Sequence, residues 1–146
     1  MMLQLQKWGC AIGLILSCWL LTLQTAQASS LAGLATLRSL AREAIPYTEA
    51  LANGKPTVIE FYADWCTTCQ GLAKTMQAIE QDYGDRVNFV MLNIDEPQWA
   101  PQIAANQVTG VPQLTFLDRQ HQVQRQVVGA VPQAILAQMM VQLEDS

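Results

Sequence analysis

Charge, histidine and cysteine are all scarce in this chain, and each shortage narrows what it can do. Only 14% of its 146 residues are charged and 51% are hydrophobic. That balance excludes a chain held open by self-repulsion and leaves ample apolar material for a core. Its length suits one domain. Basic residues are few, and seven of the eight follow Ala28 together with all twelve acids, leaving the body at a formal −5. Nothing here makes the basic stripe that a nucleic-acid binder needs. There is one histidine, His121, and zinc usually takes four ligands, so neither a metal nor any other cofactor is expected. Low-complexity stretches and internal repeats are also missing.

The four cysteines divide by position. Cys10 and Cys18 lie in an almost wholly apolar run, Trp8–Leu23, which follows Lys7 and precedes Ala26-Gln27-Ala28. A basic start, an apolar middle and Ala-x-Ala form the layout of a secretory signal, with the cut after Ala28. Read through to Ala28, the segment is also marginally long enough for a membrane anchor, which needs roughly 20 apolar residues. Residues 1–28 are therefore expected to be a signal peptide or a membrane anchor, residues 29–46 a helical lead-in, and residues 47–146 the folded domain. Either form of residues 1–28 delivers the body across a membrane, where disulfides persist. The chain is membrane-associated if the segment is uncleaved. Only Cys66 and Cys69 remain in the exported body.

Along that body, Leu31, Leu34, Leu37, Leu40 and Ala41 recur at helical steps, and Pro46 interrupts the pattern. A short helix over Tyr47–Ala52 then ends at Asn53-Gly54-Lys55-Pro56. Thr57–Ala63 reads as a strand buried on both faces, polar only at Glu60 after its first residue. Cys66–Tyr83 reads as a helix with Leu72, Met76, Ile79 and Tyr83 on one face. The remaining elements are a strand at Val87–Ile94, a helix at Pro97–Asn106, strands at Gln113–Leu117 and Gln122–Val128, and a closing helix at Val131–Leu143. The strand–helix–strand crossover requires parallel pairing and the late hairpin antiparallel pairing. The expected fold is α/β, a central mixed sheet of about four strands with helices on both faces.

The chemistry concentrates at Trp65-Cys66-Thr67-Thr68-Cys69. Two thiols separated by two residues can close into a disulfide. Cys66 falls where a strand hands over to a helix, and the free N–H groups and dipole there stabilise a thiolate. Cys69 sits one turn deeper. Cys66 is then the attacking nucleophile and Cys69 the resolving thiol. A static disulfide is the bland alternative, but so short a loop stabilises little by constraining the unfolded chain. A bare Cys-x-x-Cys is weak evidence, and its βαβ context is what gives it meaning.

Residues 58–69, with Gly110-Val111-Pro112 and Val128-Gly129, resemble the active-site strand and helix, the cis-proline loop and the late glycine of thioredoxins. The resemblance runs over roughly residues 50–143. Within that family, Glu60–Cys66 and Val87–Asp95 look most like the membrane-anchored thioredoxin-like proteins of cyanobacterial and chloroplast thylakoids. It implies a protein thiol–disulfide oxidoreductase in the thylakoid lumen or on a periplasmic face, acting on protein thiols and disulfides. By the same resemblance a DsbD-type membrane thiol transporter would supply electrons, and the setting would be cytochrome assembly. It implies a cis peptide before Pro112, substrate contact by Trp65, Val111 and Pro112, and a proton-relay role for Glu60. Glu60 could instead pair with Lys55 or Lys74. Thr67-Thr68 replaces the family's common Gly-Pro, so reducing strength does not carry over. The rivals are a dithiol oxidase and an adaptor module for membrane-complex assembly that needs neither thiol.

Overall fold

The computed structural model describes residues 31–146; the apolar segment and its Ala-x-Ala, on which the signal or anchor reading rests, lie outside the described residues. Among the described residues no helix is long and apolar enough to cross a membrane. Residues 33–146 form one compact unit.

Helix α1 (residues 31–43) and the short α2 (Tyr47–Ala50) lead into β1 (Thr57–Tyr62) and then α3 (Thr67–Tyr83). β2 (Asn88–Asn93) is followed by a 3₁₀ turn (Pro97–Trp99) and α4 (Ala100–Ala105). β3 (Gln113–Leu117), β4 (Val123–Val128) and α5 (Gln133–Glu144) complete the chain. The four strands form one sheet in the order β2-β1-β3-β4. β1 runs parallel to β2 and antiparallel to β3, and β4 is antiparallel to β3. This is the mixed sheet anticipated above.

Two boundaries differ from the expected ones for identifiable reasons. Prolines 97 and 101 tighten the start of the helical segment after β2, so it opens as a 3₁₀ turn and becomes α-helical only at Ala100. Pro132, with φ −60° and ψ 143°, is the N-cap of α5. Val131 therefore belongs to the approach and packs in the core instead of starting the helix.

Strand alternation divides the apolar side chains between two clusters. On one face Val58, Tyr62, Leu114 and Phe116 pack with Leu37 and Leu40 of α1, Leu72, Met76 and Ile79 of α3, and Leu136 and Met140 of α5. On the other, Ile59, Phe61, Val90 and Leu92 pack with Ala50 of α2, joined by half-buried Trp99 and Ile103. Helices thus cover both faces of the sheet. The outer edge of β2 is met by the chain between α1 and α2, where the Ile45 N–H donates to the Phe89 carbonyl at 3.1 Å. α1 also approaches the start of α3 closely. A Cβ at Gly33 would lie 2.8 Å from the Gln70 carbonyl oxygen, so only glycine allows this contact.

Leu37 is fully buried although it precedes the first strand by twenty residues. Leu37→Ala should therefore cost about 2–4 kcal/mol of unfolding free energy in urea. Ile135→Ala, at a position 42% exposed, should cost less than about 1 kcal/mol in the same measurement.

Candidate active site

The buried strand β1 ends at Tyr62, and Ala63–Trp65 turn the chain into α3. The turn is closed by the Cys66 N–H donating to the Ala63 carbonyl at 3.1 Å. Cys66 is the N-cap of α3, with an extended backbone, and its sulfur accepts the backbone N–H of Cys69 at 3.1 Å. A sulfur thus takes the place that a serine or aspartate oxygen usually fills at a helix start. Cys66 and Cys69 are joined as a disulfide, with their Cα atoms 5.3 Å apart. Cys66 is 6% exposed and Cys69 is fully buried, so only the first sulfur borders solvent. This is the arrangement that lets one thiol meet a partner while the other waits beneath it.

Three neighbours hold the turn. Arg38 of α1 forms an ion pair with Asp64 at 2.7 Å, tying the lead helix to the residue two before Cys66. Gln70 Nε2 donates to the Asp64 carbonyl at 2.7 Å. Trp65, 64% exposed, donates its indole N–H to Asp95 Oδ2 at 2.9 Å, which fixes the ring beside the sulfurs. Trp99 lies elsewhere, edge-on to Tyr47.

Facing the dithiol is the loop between α4 and β3. The Val111–Pro112 peptide is cis, and the Val111 carbonyl oxygen lies 3.5 Å from Cys66 Sγ. When Cys66 is reduced, its thiol can donate to that oxygen. The Gly129 N–H donates to the Pro112 carbonyl at 2.8 Å, with Gly129 at φ +97°, a backbone conformation that glycine adopts freely. Beside the motif lies a groove of about 490 Å³, lined by Trp65, Ile94, Ile103 and Val108–Val111.

Glu60 sits in the middle of β1, between Met91 of β2 and Leu114 of β3. Strand alternation puts it on the face of Val58 and Tyr62, the side of the sheet that α3 and Cys69 cover. It is 1% exposed, and neither carboxyl oxygen has a hydrogen-bond partner. It pairs with neither lysine considered above. Lys55 donates to the Asp85 carbonyl, and Lys74 is exposed on the outer side of α3. Burial alone pushes the Glu60 carboxyl up to about 8.

The structure therefore brings Cys66 against the Val111–Pro112 loop with Cys69 buried behind it, puts Trp65 and Val111 in the groove alongside, and leaves Glu60 in the core. Sequence reasoning passed over Arg38, Asp64, Asp95 and Gln113 as contributors. Gln113 alone carried a signal, being an amide in the buried strand that directly follows Pro112.

Comparison with known proteins adds the family. The thioredoxin family model matches residues 38–142. The chain belongs to the thioredoxin family. It is 48% identical over 103 residues to the thiol:disulfide interchange protein TxlA of Synechococcus elongatus, covering 70% of this chain and 54% of that protein. It is also 48% identical over 103 residues to the chloroplastic thioredoxin-like protein HCF164 of Arabidopsis thaliana, covering 70% of this chain and 40% of that one. The chain thus spans only about half the length of such curated relatives. Among solved structures, the germline-specific thioredoxin Deadhead of Drosophila melanogaster superposes with a TM-score of 0.57 at 26% identity, covering 66% of this chain and 87% of that one. The residues between the cysteines remain Thr67-Thr68 in this thioredoxin-family domain.

The Glu60 carboxyl gives a pH dependence of defined sign. Its folded pKa of about 8 exceeds the unfolded value of 4.5. The folded state therefore binds more protons between those values, and stability is lost as pH rises from about 4.5 to about 8. The loss should be on the order of a few kcal/mol, and Glu60→Gln should flatten it. Denaturant titrations of both proteins at pH 5, 6.5 and 8.5 measure the effect.

Proposed function

We propose that this chain is a thiol–disulfide oxidoreductase that reduces disulfides in protein substrates. One observation carries the reading: the Cys66 sulfur, at a residue 6% exposed, caps α3, receives the Cys69 N–H at 3.1 Å, and lies 3.5 Å from the Val111 carbonyl oxygen. An anion on that sulfur gains both the hydrogen bond and the positive end of the helix dipole.

In this mechanism the Cys66 thiolate attacks one sulfur of a substrate disulfide. The substrate S–S bond breaks, a mixed disulfide with Cys66 forms, and the departing substrate thiolate takes a proton. Cys69 gives up its proton and attacks the Cys66 sulfur, closing the Cys66–Cys69 bond and releasing the second substrate thiol. Two electrons pass to the substrate, and a dithiol donor must return them. Glu60, in the same core layer as Cys69, is the proposed acceptor of the Cys69 proton. A carboxylate with pKa about 8 is matched to a thiol for that transfer. Trp65 and the Val111–Pro112 backbone form the two walls against which an extended substrate lies.

The direction is reduction. Between α3 and Pro112 the chain holds only β2, the 3₁₀ turn and α4, without the helical insertion that DsbA-type oxidases carry. The setting proposed is the thylakoid lumen or a periplasmic face, with residues 1–28 as signal or anchor and a DsbD-type membrane thiol transporter as electron donor. The apolar segment before Ala28 and the likeness of residues 60–66 and 87–95 to thylakoid proteins support it. Apocytochrome cysteines, reduced from disulfides to thiols, are the substrates we propose there.

Cys66→Ser should abolish dithiothreitol-driven reduction of insulin. Cys69→Ser should instead accumulate a covalent mixed disulfide with its substrate, seen on non-reducing gels and released by dithiothreitol. Unimpaired function of both variants in a complementation assay would favour an adaptor role and defeat the redox reading.

A further inference from the structure

Val108–Val111, which line the groove with Trp65, belong to the segment Asn106–Val111, which has no regular secondary structure of its own. Something must hold it, because a loop that lines a binding surface loses affinity if it must be ordered on binding. The Gln113 side chain bonds it at two points, its start and its middle. Gln113 is 2% exposed and lies in β3, next to Pro112. Its Nε2 donates to the Asn106 carbonyl at 3.0 Å, and its Oε1 accepts the Thr109 N–H at 3.4 Å. From the neighbouring strand β4, Gln126 Nε2 donates to the same Asn106 carbonyl at 2.9 Å and lies 3.4 Å from Thr115 Oγ1. The segment also contains Gln107 at φ 50°, a left-handed conformation that is uncommon outside glycine. A turn of that kind needs fixed neighbours to persist.

We propose that Gln113, assisted by Gln126, is a positioning residue that fixes the Asn106–Val111 wall and thereby sets how tightly a protein disulfide docks beside Cys66. The inference rests on the oxidoreductase reading given above. Gln113 makes no hydrogen bond to either cysteine or to Val111. Its effect belongs to docking and not to sulfur chemistry. A side chain that only stabilised the fold would change the melting temperature without sorting substrates by size.

The test compares two disulfides in the full chain. Insulin must lie along the groove, whereas 5,5′-dithiobis(2-nitrobenzoate) needs only the sulfur. In Gln113→Leu the KM for insulin should rise about five- to ten-fold, the equivalent of one or two buried hydrogen bonds, with kcat nearly unchanged. The rate constant for reduction of the small disulfide should stay within about two-fold of wild type. Gln126→Ala, at an exposed position that leaves the core intact, should move the insulin KM the same way by about two- to three-fold. If Gln113→Leu does not fold, the Gln126 variant decides by itself. An unchanged insulin KM in the folded variants overturns the proposal, as does an equal loss toward both disulfides. Failure of the wild-type chain to reduce either one would instead overturn the oxidoreductase reading.

Discussion

The structure depends on one junction, where β1 stops and α3 starts. Burial on both faces makes β1 rigid, and the turn after it is closed by a backbone hydrogen bond from Cys66 to Ala63. The Cys66 sulfur then serves as the cap of a seventeen-residue helix. Caps are usually neutral hydroxyls or carboxylates, and each satisfies one of the donors a helix leaves open. With sulfur in that place, the same contact that starts the helix also stabilises the anion that makes the sulfur reactive. Local structure and chemistry are joined in a single hydrogen bond.

The rest of the fold surrounds this junction with different kinds of support. α1 reaches over the start of α3, made possible by the missing side chain at Gly33, and extends Arg38 to Asp64. β3 and β4 carry the opposing loop, which the Gln113 and Gln126 amides hold at Asn106. Beneath them Glu60 is left without a hydrogen-bond partner in the centre of a four-stranded sheet. A buried acid with no partner weakens a fold at neutral pH. Its place on the α3 side of β1 gives that cost a use, as the acceptor we propose for the inner thiol's proton.

Much of the architecture was legible because the sequence repeats its physics at several levels. The mostly apolar runs of β1 and β2, the helical spacing of Leu72, Met76 and Ile79, and the turn residues between them agree with one another. The thiol pair was legible from its position at a strand–helix boundary more than from its spacing. The ends of helices were less so: local proline chemistry moved the starts of α4 and α5 by two or three residues. The supporting shell was hidden for another reason. Arg38 meets Asp64 across 26 positions, and Trp65 meets Asp95 across 30, and no local pattern announces such pairs. Glu60 was visible as an acid in an apolar strand, but its lack of a partner is a property of three strands together.

The most direct test of the central claim is the alkylation rate of the reduced protein by iodoacetamide at pH 7, resolved by peptide mapping. A sulfur that caps α3 and borders the groove should react about ten-fold or more faster at Cys66 than an ordinary free thiol, with Cys69 slower than both. Equal rates at the two cysteines, or a Cys66 no faster than free cysteine, would contradict the account.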